Sequence, residues 1–251
     1  MVASFKRGLL GSNSIRRDYL GSAGIRRGMS RNLSLLNGLQ VSYSFDGGYT
    51  DNSGNGATLS PQNSPTFGTG IIGQALAVVR ASQQGALLGN TSLIQILGSM
   101  TIGVWVNFNT ATLKELIVGR GIVSGAASAF DWTLYLYSDN NLYLDISDGN
   151  NILEVGNSGG GIATGTWYCI LAWYDAGSKT AKLSVNNGAA QTATWTSTPR
   201  TGTNNLDVGG YSSAAESLDG LIDNLNIWNR VLTASEQSTF YNNGLAKQWP
   251  F

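Results

Sequence analysis

The chain has 251 residues, enough for one large domain or two small ones, and at 42% hydrophobic content it is a folding sequence. Only 12% is charged, there is no histidine and one cysteine, so His-dependent catalysis, His-ligated zinc and an intrachain disulfide are excluded. The zero net charge hides a division: residues 1–36 hold seven basic and one acidic group, net +6, and the rest holds eight basic and fourteen acidic groups, net −6.

The basic segment contains a ten-residue unit written twice, LGSNSIRR and LGSAGIRR. Leu10 aligns with Leu20, Ile15 with Ile25, and Arg16–Arg17 with Arg26–Arg27. With no apolar stripe at helical or strand period, residues 1–38 should not fold alone and read as an extended arm. The start lacks the apolar run of a secretory signal and no stretch reaches membrane-spanning length, so synthesis in a cytoplasm and no membrane are expected.

From Leu39 the pattern turns to strands. LQVSYSF (39–45) alternates, and MTIGVWVNF (100–108) puts Ile102, Val104, Val106 and Phe108 on one face. WTLYLYS (132–138) and NLYLDIS (141–147) flank Asp139–Asn140 and read as a hairpin. WYCILAWYD (167–175) is apolar on both faces, as a central strand would be, and makes Cys169 a buried thiol. AKLSVNNG (181–188), QTATWTS (191–197), LDVGG (206–210) and LIDNLNIWN (221–229) follow as strands. In LTASEQSTFYNNG (232–244) Thr233 and Glu236 are spaced as a capping box and Gly244 can close a short helix. Residues 39–251 are therefore read as one all-β, antiparallel jelly-roll sandwich with one short C-terminal helix.

Five pieces in this order carry a resemblance: YSFDGGYTDNSGNG (43–56), GQAL (73–76), MTIGVWVNF, GTWYCILAWYDAGSKTAKLSVNNG (165–188) and LDGLIDNLNIWNRVLTASE (218–236). Together they resemble the laminin-G-like, concanavalin A-like jelly-roll superfamily. Two departures stand out: Trp167–Tyr168–Cys169 replaces the usual W-H-H, and Asn224 replaces the second acid of I-D-D.

The resemblance implies a lectin-like fold and frames three site questions. Retaining glucanases on this fold are similar in carrying E-x-D-x-x-E on one strand; here the four glutamates, Glu115, Glu154, Glu216 and Glu236, form no such run. Asp145 and Asp148 read as hairpin-end residues on opposite faces, so no catalytic residue is assigned and no enzyme is expected. Relatives often hold a structural calcium, for which Asp51, Asn55 and Asp223 occupy matching positions, against a competing Asx-turn reading of Asp51; no cofactor is otherwise required. Trp132, Tyr135, Tyr137, Tyr143 and Tyr211 are rings that could stack on a glycan, with no sugar site assigned among them.

The arm suits a protein surface better than nucleic acid, because only Phe5 and Tyr19 interleave as stacking groups. Leu10, Ile15, Leu20 and Ile25 would enter apolar pockets while Arg16, Arg17, Arg26 and Arg27 meet carboxylates, two units in phase raising avidity. An anchoring arm on a jelly roll without catalytic groups looks like a phage capsid decoration (cement) protein. That likeness implies a major capsid protein as partner, a homotrimer, and location on the virion surface. A glycan-recognising adhesin or tail-fibre module is the alternative.

Overall fold

The computed structural model describes residues 34–121, 126–157, 161–210 and 216–251. Within these, fifteen strands and one α-helix are formed. The repeated units, from Leu10 to Arg27, lie outside the described residues, as does Tyr211.

Two antiparallel sheets pack face to face. The larger has the order β13 (Gln191–Thr194), β12 (Thr180–Val185), β11 (Trp167–Asp175), β6 (Met100–Phe108), β15 (Gly220–Trp228), β4 (Gln74–Val78), β3 (Thr66–Thr69). Its eighth strand, β1 (Leu39–Tyr43), also pairs with β15. The smaller sheet has the order β10 (Ile152–Gly156), β9 (Leu142–Ser147), β8 (Phe130–Leu136), β7 (Glu115–Gly121), β14 (Leu206–Val208), β5 (Gly85–Leu88), β2 (Ser60–Gln62). This is the expected jelly-roll sandwich.

Alternation builds the core. Ile102, Val104, Val106, Ile170, Ala172, Ile222, Leu225 and Ile227 from the larger sheet meet Val118, Trp132, Leu134, Leu144, Ile146, Leu206 and Val208 from the smaller. The strand read as apolar on both faces does serve two layers. Its other face, with Cys169, Leu171 and Trp173, joins Trp105 and Trp228 in a second buried cluster. That cluster is covered by Leu232, by Phe240 of α1 (Ala234–Tyr241), and by Phe251. Tyr241 stacks on Trp105 at 5.9 Å, and Trp228 meets Phe240 edge-on at 5.7 Å. The C-terminal residues thus seal the outer face of the larger sheet.

Leu35 is fully buried in the same cluster, its carbonyl accepts the Trp228 indole N–H at 2.7 Å, and the Ser34 and Asn37 carbonyls accept from Arg230. Residues 34–38, read from sequence as arm, are therefore packed as part of the body. The helix carries the expected capping box, with the Thr233 side chain accepting from Glu236 N–H and the Glu236 carboxylate accepting from Thr233 N–H. It ends at Asn242, whose left-handed φ of 49° turns the chain before Gly244 is reached.

The long β15 changes partner midway: Gly220–Ile222 pair with β4, and Leu225–Trp228 with β1. The register against β6 slips between Asp223 and Asn226. Asn224, where the family pattern has an acid, sits in this bulge at φ 48°, a conformation Asn tolerates well, and its amide donates to the Lys247 carbonyl.

A candidate binding face on the smaller sheet

Because side chains alternate, the strand register alone assembles a row across the outer face of the smaller sheet. Ser60 pairs with Leu87, Leu87 with Asp207, Asp207 with Gly119, Gly119 with Thr133, Thr133 with Asp145, and Asp145 with Glu154. Most neighbours of this row within each strand, among them Val118, Trp132, Leu134, Leu144, Ile146 and Val208, point into the core. Residues far apart in sequence thus form a strip running across the strands.

Three polar groups on the strip lack a hydrogen-bond partner: Thr133 Oγ1, Asp145 Oδ1 and Asp207 Oδ1. Thr133 is 0% exposed and Asp145 5%. Burial drives the Asp145 carboxyl up to about 7, with Glu154 adding to the rise and the Tyr135 hydrogen bond opposing it. Asp207 is also pushed up to about 7, by burial alone. Gly119 is buried and closely packed between Asp207 and Thr133; a Cβ there would come within 2.8 Å of Thr133 Cγ2.

Beside the acids stands an aromatic wall. Tyr135 donates to Asp145 Oδ2 at 3.0 Å and stacks on Tyr143 at 5.7 Å. Tyr137 meets both rings edge-on, at 6.3 and 6.1 Å, and is 41% exposed. Tyr143 lies over the bare backbone of Gly156, where a Cβ would come 2.5 Å from its ring, and donates to Asp139 at 2.7 Å. The half-buried Lys114 ammonium sits 5.5 Å from the Tyr135 ring and 5.7 Å from that of Tyr137. Leu116 packs with Tyr135 and Tyr143 beneath. Flat ring faces next to the exposed Asp139 and Glu154 carboxylates supply the two elements a polyhydroxylated ring requires.

Of the rings named from sequence, Tyr135, Tyr137 and Tyr143 are brought together here, whereas Trp132 is fully buried in the core and donates to the Ile94 carbonyl. Asp145 corrects the sequence reading: it is a mid-strand residue on the strip, and only Asp148 sits in the turn, accepting from Asn150 and Asn151. The Asp145–Glu154 pairing joins residues of neighbouring strands, a relation no single-strand motif reveals. Cys169 is fully buried, and burial pushes its thiol far above its ordinary range.

The hydrogen bonds of the calcium trio fall in two separate regions. Both oxygens of Asp51 are taken within its own loop region, by Ser42 N–H, Ser53 N–H, Ser53 Oγ and Ala57 N–H. Asn55 turns its amide nitrogen to the Leu39 and Gln40 carbonyls. Asp223 accepts instead from Ile72 N–H and faces Asp46, whose charge adds to the burial that raises the Asp223 carboxyl to about 7. Among the described residues, no three acidic, histidine or cysteine side chains converge as a metal site. Asp51 and Asn55 are thus engaged in one region and Asp223 in another, with Asp223 Oδ1 left without a partner, and no cation is used below.

A cleft of about 280 Å³ lies elsewhere, lined by Gln40, Leu93, Leu97, Ser99 and Asn229 among others, with no titratable group. Among the described residues, no helix is long and apolar enough to cross a membrane.

An antiparallel sandwich of eight and seven strands, with an aromatic and acidic strip on one sheet, defines a lectin-like jelly roll. The chain belongs to the concanavalin A-like lectin/glucanases superfamily, whose Laminin_G_3 model matches residues 80–236. No curated protein sequence matches it. Among solved structures it is similar to domain 4 of AbnA, an extracellular GH43 arabinanase of Geobacillus stearothermophilus in complex with arabinotriose. The identity is 21% and the TM-score 0.64, covering 83% of this chain and 98% of that one. It is also similar to botulinum neurotoxin type C, whose cell entry is described as dependent on two ganglioside molecules, at 11% identity and a TM-score of 0.66, covering 86% and 53%. The binding domain of Paraclostridial Mosquitocidal Protein 1 matches at 15% identity and a TM-score of 0.65, covering 84% and 53%. The chain spans about half the length of the two toxin chains. At these identities the likenesses establish the shared fold.

Proposed function

We propose that the body is a non-enzymatic carbohydrate-binding module that takes its ligand on the outer face of the smaller sheet. The observation that carries this is the Tyr135–Tyr137–Tyr143 wall with the exposed Asp139 and Glu154 carboxylates at its edge. Sugar C–H faces would lie on the exposed Tyr137 ring, and hydroxyl groups would donate to the exposed Asp139 and Glu154 carboxylates. The sugar-related ligands named for the arabinanase domain and the neurotoxin support this reading by analogy of fold. The full chain should be retained by an immobilised glycan array. Tyr137→Ala should weaken retention roughly tenfold, as expected for loss of one stacking platform worth about 1 kcal/mol or slightly more, while leaving the melting temperature unchanged. A protein retained by no glycan, or retained equally without Tyr137, would remove the basis of the proposal.

The in-phase LGSxxIRR repeat favours a second role at the level of assembly, as a capsid decoration protein tied by its arm to a viral shell. In this reading the arm binds the major capsid protein and the jelly roll, as a trimer, is displayed on the virion. Replacing Arg16, Arg17, Arg26 and Arg27 by Ala should abolish attachment to particles in moderate salt while leaving the body folded. Full occupancy by that variant would rule out the anchor. Truncation is a poorer test if it passes residue 33, because Leu35 belongs to the core.

A further inference from the structure

Resting on the carbohydrate reading of the same face, we infer that Gly156 is the positioning residue of the ligand platform. Its missing side chain lets Tyr143 lie on the edge strand, and so fixes the Tyr137 ring where a sugar would stack. The register sets Gly156 of β10, Tyr143 of β9, Tyr135 of β8 and Leu116 of β7 in one row across four strands. Glycine is a poor strand residue, so its place at the end of β10 needs a reason. Backbone geometry supplies none, because Gly156 is not among the residues of positive φ. Clearance does. A Cβ at Gly156 would come 2.5 Å from Cε1, 2.8 Å from Cδ1 and 3.2 Å from Cζ of Tyr143, its three nearest contacts beyond the adjacent residues. A ring laid over an edge glycine also covers the strand that the missing side chain leaves bare.

The Tyr143 ring is bounded on both sides. Opposite Gly156 stands Tyr135, stacked at 5.7 Å with 23° between the planes. Tyr135 is 5% exposed and donates to Asp145 at 3.0 Å, so it does not give way. Tyr143 is half-buried, so a methyl group at position 156 would push its ring outward rather than unfold the strand. That movement would carry the hydroxyl off Asp139 Oδ2, to which it donates at 2.7 Å. It would also disturb Tyr137, which meets Tyr143 edge-on at 6.1 Å. Gly119 differs, because a Cβ there would come 3.1 Å from the Thr133 Cα and strain the sheet itself.

The test uses the full chain and the tightest-binding oligosaccharide of the glycan array. Gly156→Ala should weaken retention roughly fivefold, as expected for one displaced ring, although residue 156 offers the ligand no side chain. Tyr143→Ala should weaken it to the same degree, and decides the matter alone if Gly156→Ala does not fold. With Tyr143→Ala already present, Gly156→Ala should change retention by less than about twofold. Ring NMR of tyrosine-labelled protein gives an independent reading, the Tyr143 resonance being assigned by its loss in Tyr143→Phe. The hydrogen bond to Asp139 is the main cause that holds the Tyr143 phenol at about 12. In Gly156→Ala it should fall toward the ordinary value of about 10. Unchanged retention in Gly156→Ala, or a Tyr143 phenol unmoved by it, overturns the inference and leaves the carbohydrate reading standing. Additive losses in the double variant overturn it too, because Gly156 would then act by another route. Tyr143→Ala retained as well as the native chain has the same consequence. A native chain retained by no glycan overturns both.

Discussion

The body should melt at a higher temperature at pH 5 than at pH 8, by on the order of 10 °C. Asp145, Asp207 and Asp223 are held at about 7 in the fold, with burial the principal cause in each. In the unfolded chain they return to roughly 3.9. Between those values the folded state binds more protons than the unfolded state, so stability falls as pH rises through the window and the loss is complete above pH 7. A three-unit shift corresponds to at most about 4 kcal/mol per carboxyl, and relaxation and water entry reduce it. Even a third of that from each group is several kcal/mol, and about 1 kcal/mol moves the melting point of a domain this size by roughly 2–4 °C.

A second set of groups closes the window from below. Glu236 is held at about 2, chiefly by its hydrogen bonds with Arg230, and Asp175 is lowered by Ser178 and Gly177. Their contribution is present above the ordinary carboxylate range and is lost as pH falls toward those depressed values. Maximum stability is expected near pH 4, where the two sets of groups meet. Asp207→Asn should flatten the slope between pH 5 and 8 by about a third, one raised carboxyl of three. A melting temperature that rises from pH 5 to pH 8 would contradict this description of the three acids.

The second large effect is expected at Arg120, which is fully buried. Its guanidinium donates to Asp131 Oδ2 at 3.0 Å, Asn90 Oδ1 at 2.9 Å, the Gly202 carbonyl at 2.9 Å and the Thr91 carbonyl at 3.3 Å. One side chain thereby ties β7 and β8 to two loops at one end of the sandwich. Arg200 reaches the other oxygen of Asp131 at 3.1 Å but is partly exposed. Arg120→Ala should destabilise by about 3–5 kcal/mol, since it leaves Asp131 under-compensated and opens a cavity. Arg200→Ala should cost only about 1 kcal/mol, because Asp131 keeps its buried partner. Chemical denaturation distinguishes the two, and equal losses would mean that Arg120 is not the clamp.

Much of the sandwich is legible in the sequence because its central strands advertise themselves. The run from Trp167 to Asp175 is apolar at every phase because one face meets the opposite sheet and the other lies under the C-terminal cluster. The helix is equally plain, since Thr233 and Glu236 stand at the spacing that satisfies its first turn. The short strands of the smaller sheet are not. Ser60–Gln62 contains a proline and has no apolar pattern, and it becomes a strand only by pairing with Gly85–Leu88 at the sheet edge.

The binding face shows the same limit more sharply. Tyr135, Tyr137 and Tyr143 can be recognised as candidate rings, because alternate residues in adjacent hairpin strands share a face. The acids cannot. Asp207 and Asp145 are 62 positions apart, and only the register through Gly119 and Thr133 places them on one strip. Local spacing pairs Asp145 with Asp148 instead, which is the wrong partner. The same non-locality separates Asp223 from Asp51, because Asp46 and the 70–73 loop reach Asp223 while Asp51 serves its own turn.

The location of the ligand is the most direct test. Tyrosine ring and backbone resonances of the full chain should be followed while the tightest-binding oligosaccharide from the array is added. Shifts centred on Thr133, Tyr135, Tyr137, Tyr143 and Asp145, with little change at the cleft around Gln40 and Asn229, are the predicted result. Shifts centred on that cleft, with the tyrosine wall unmoved, would contradict the account.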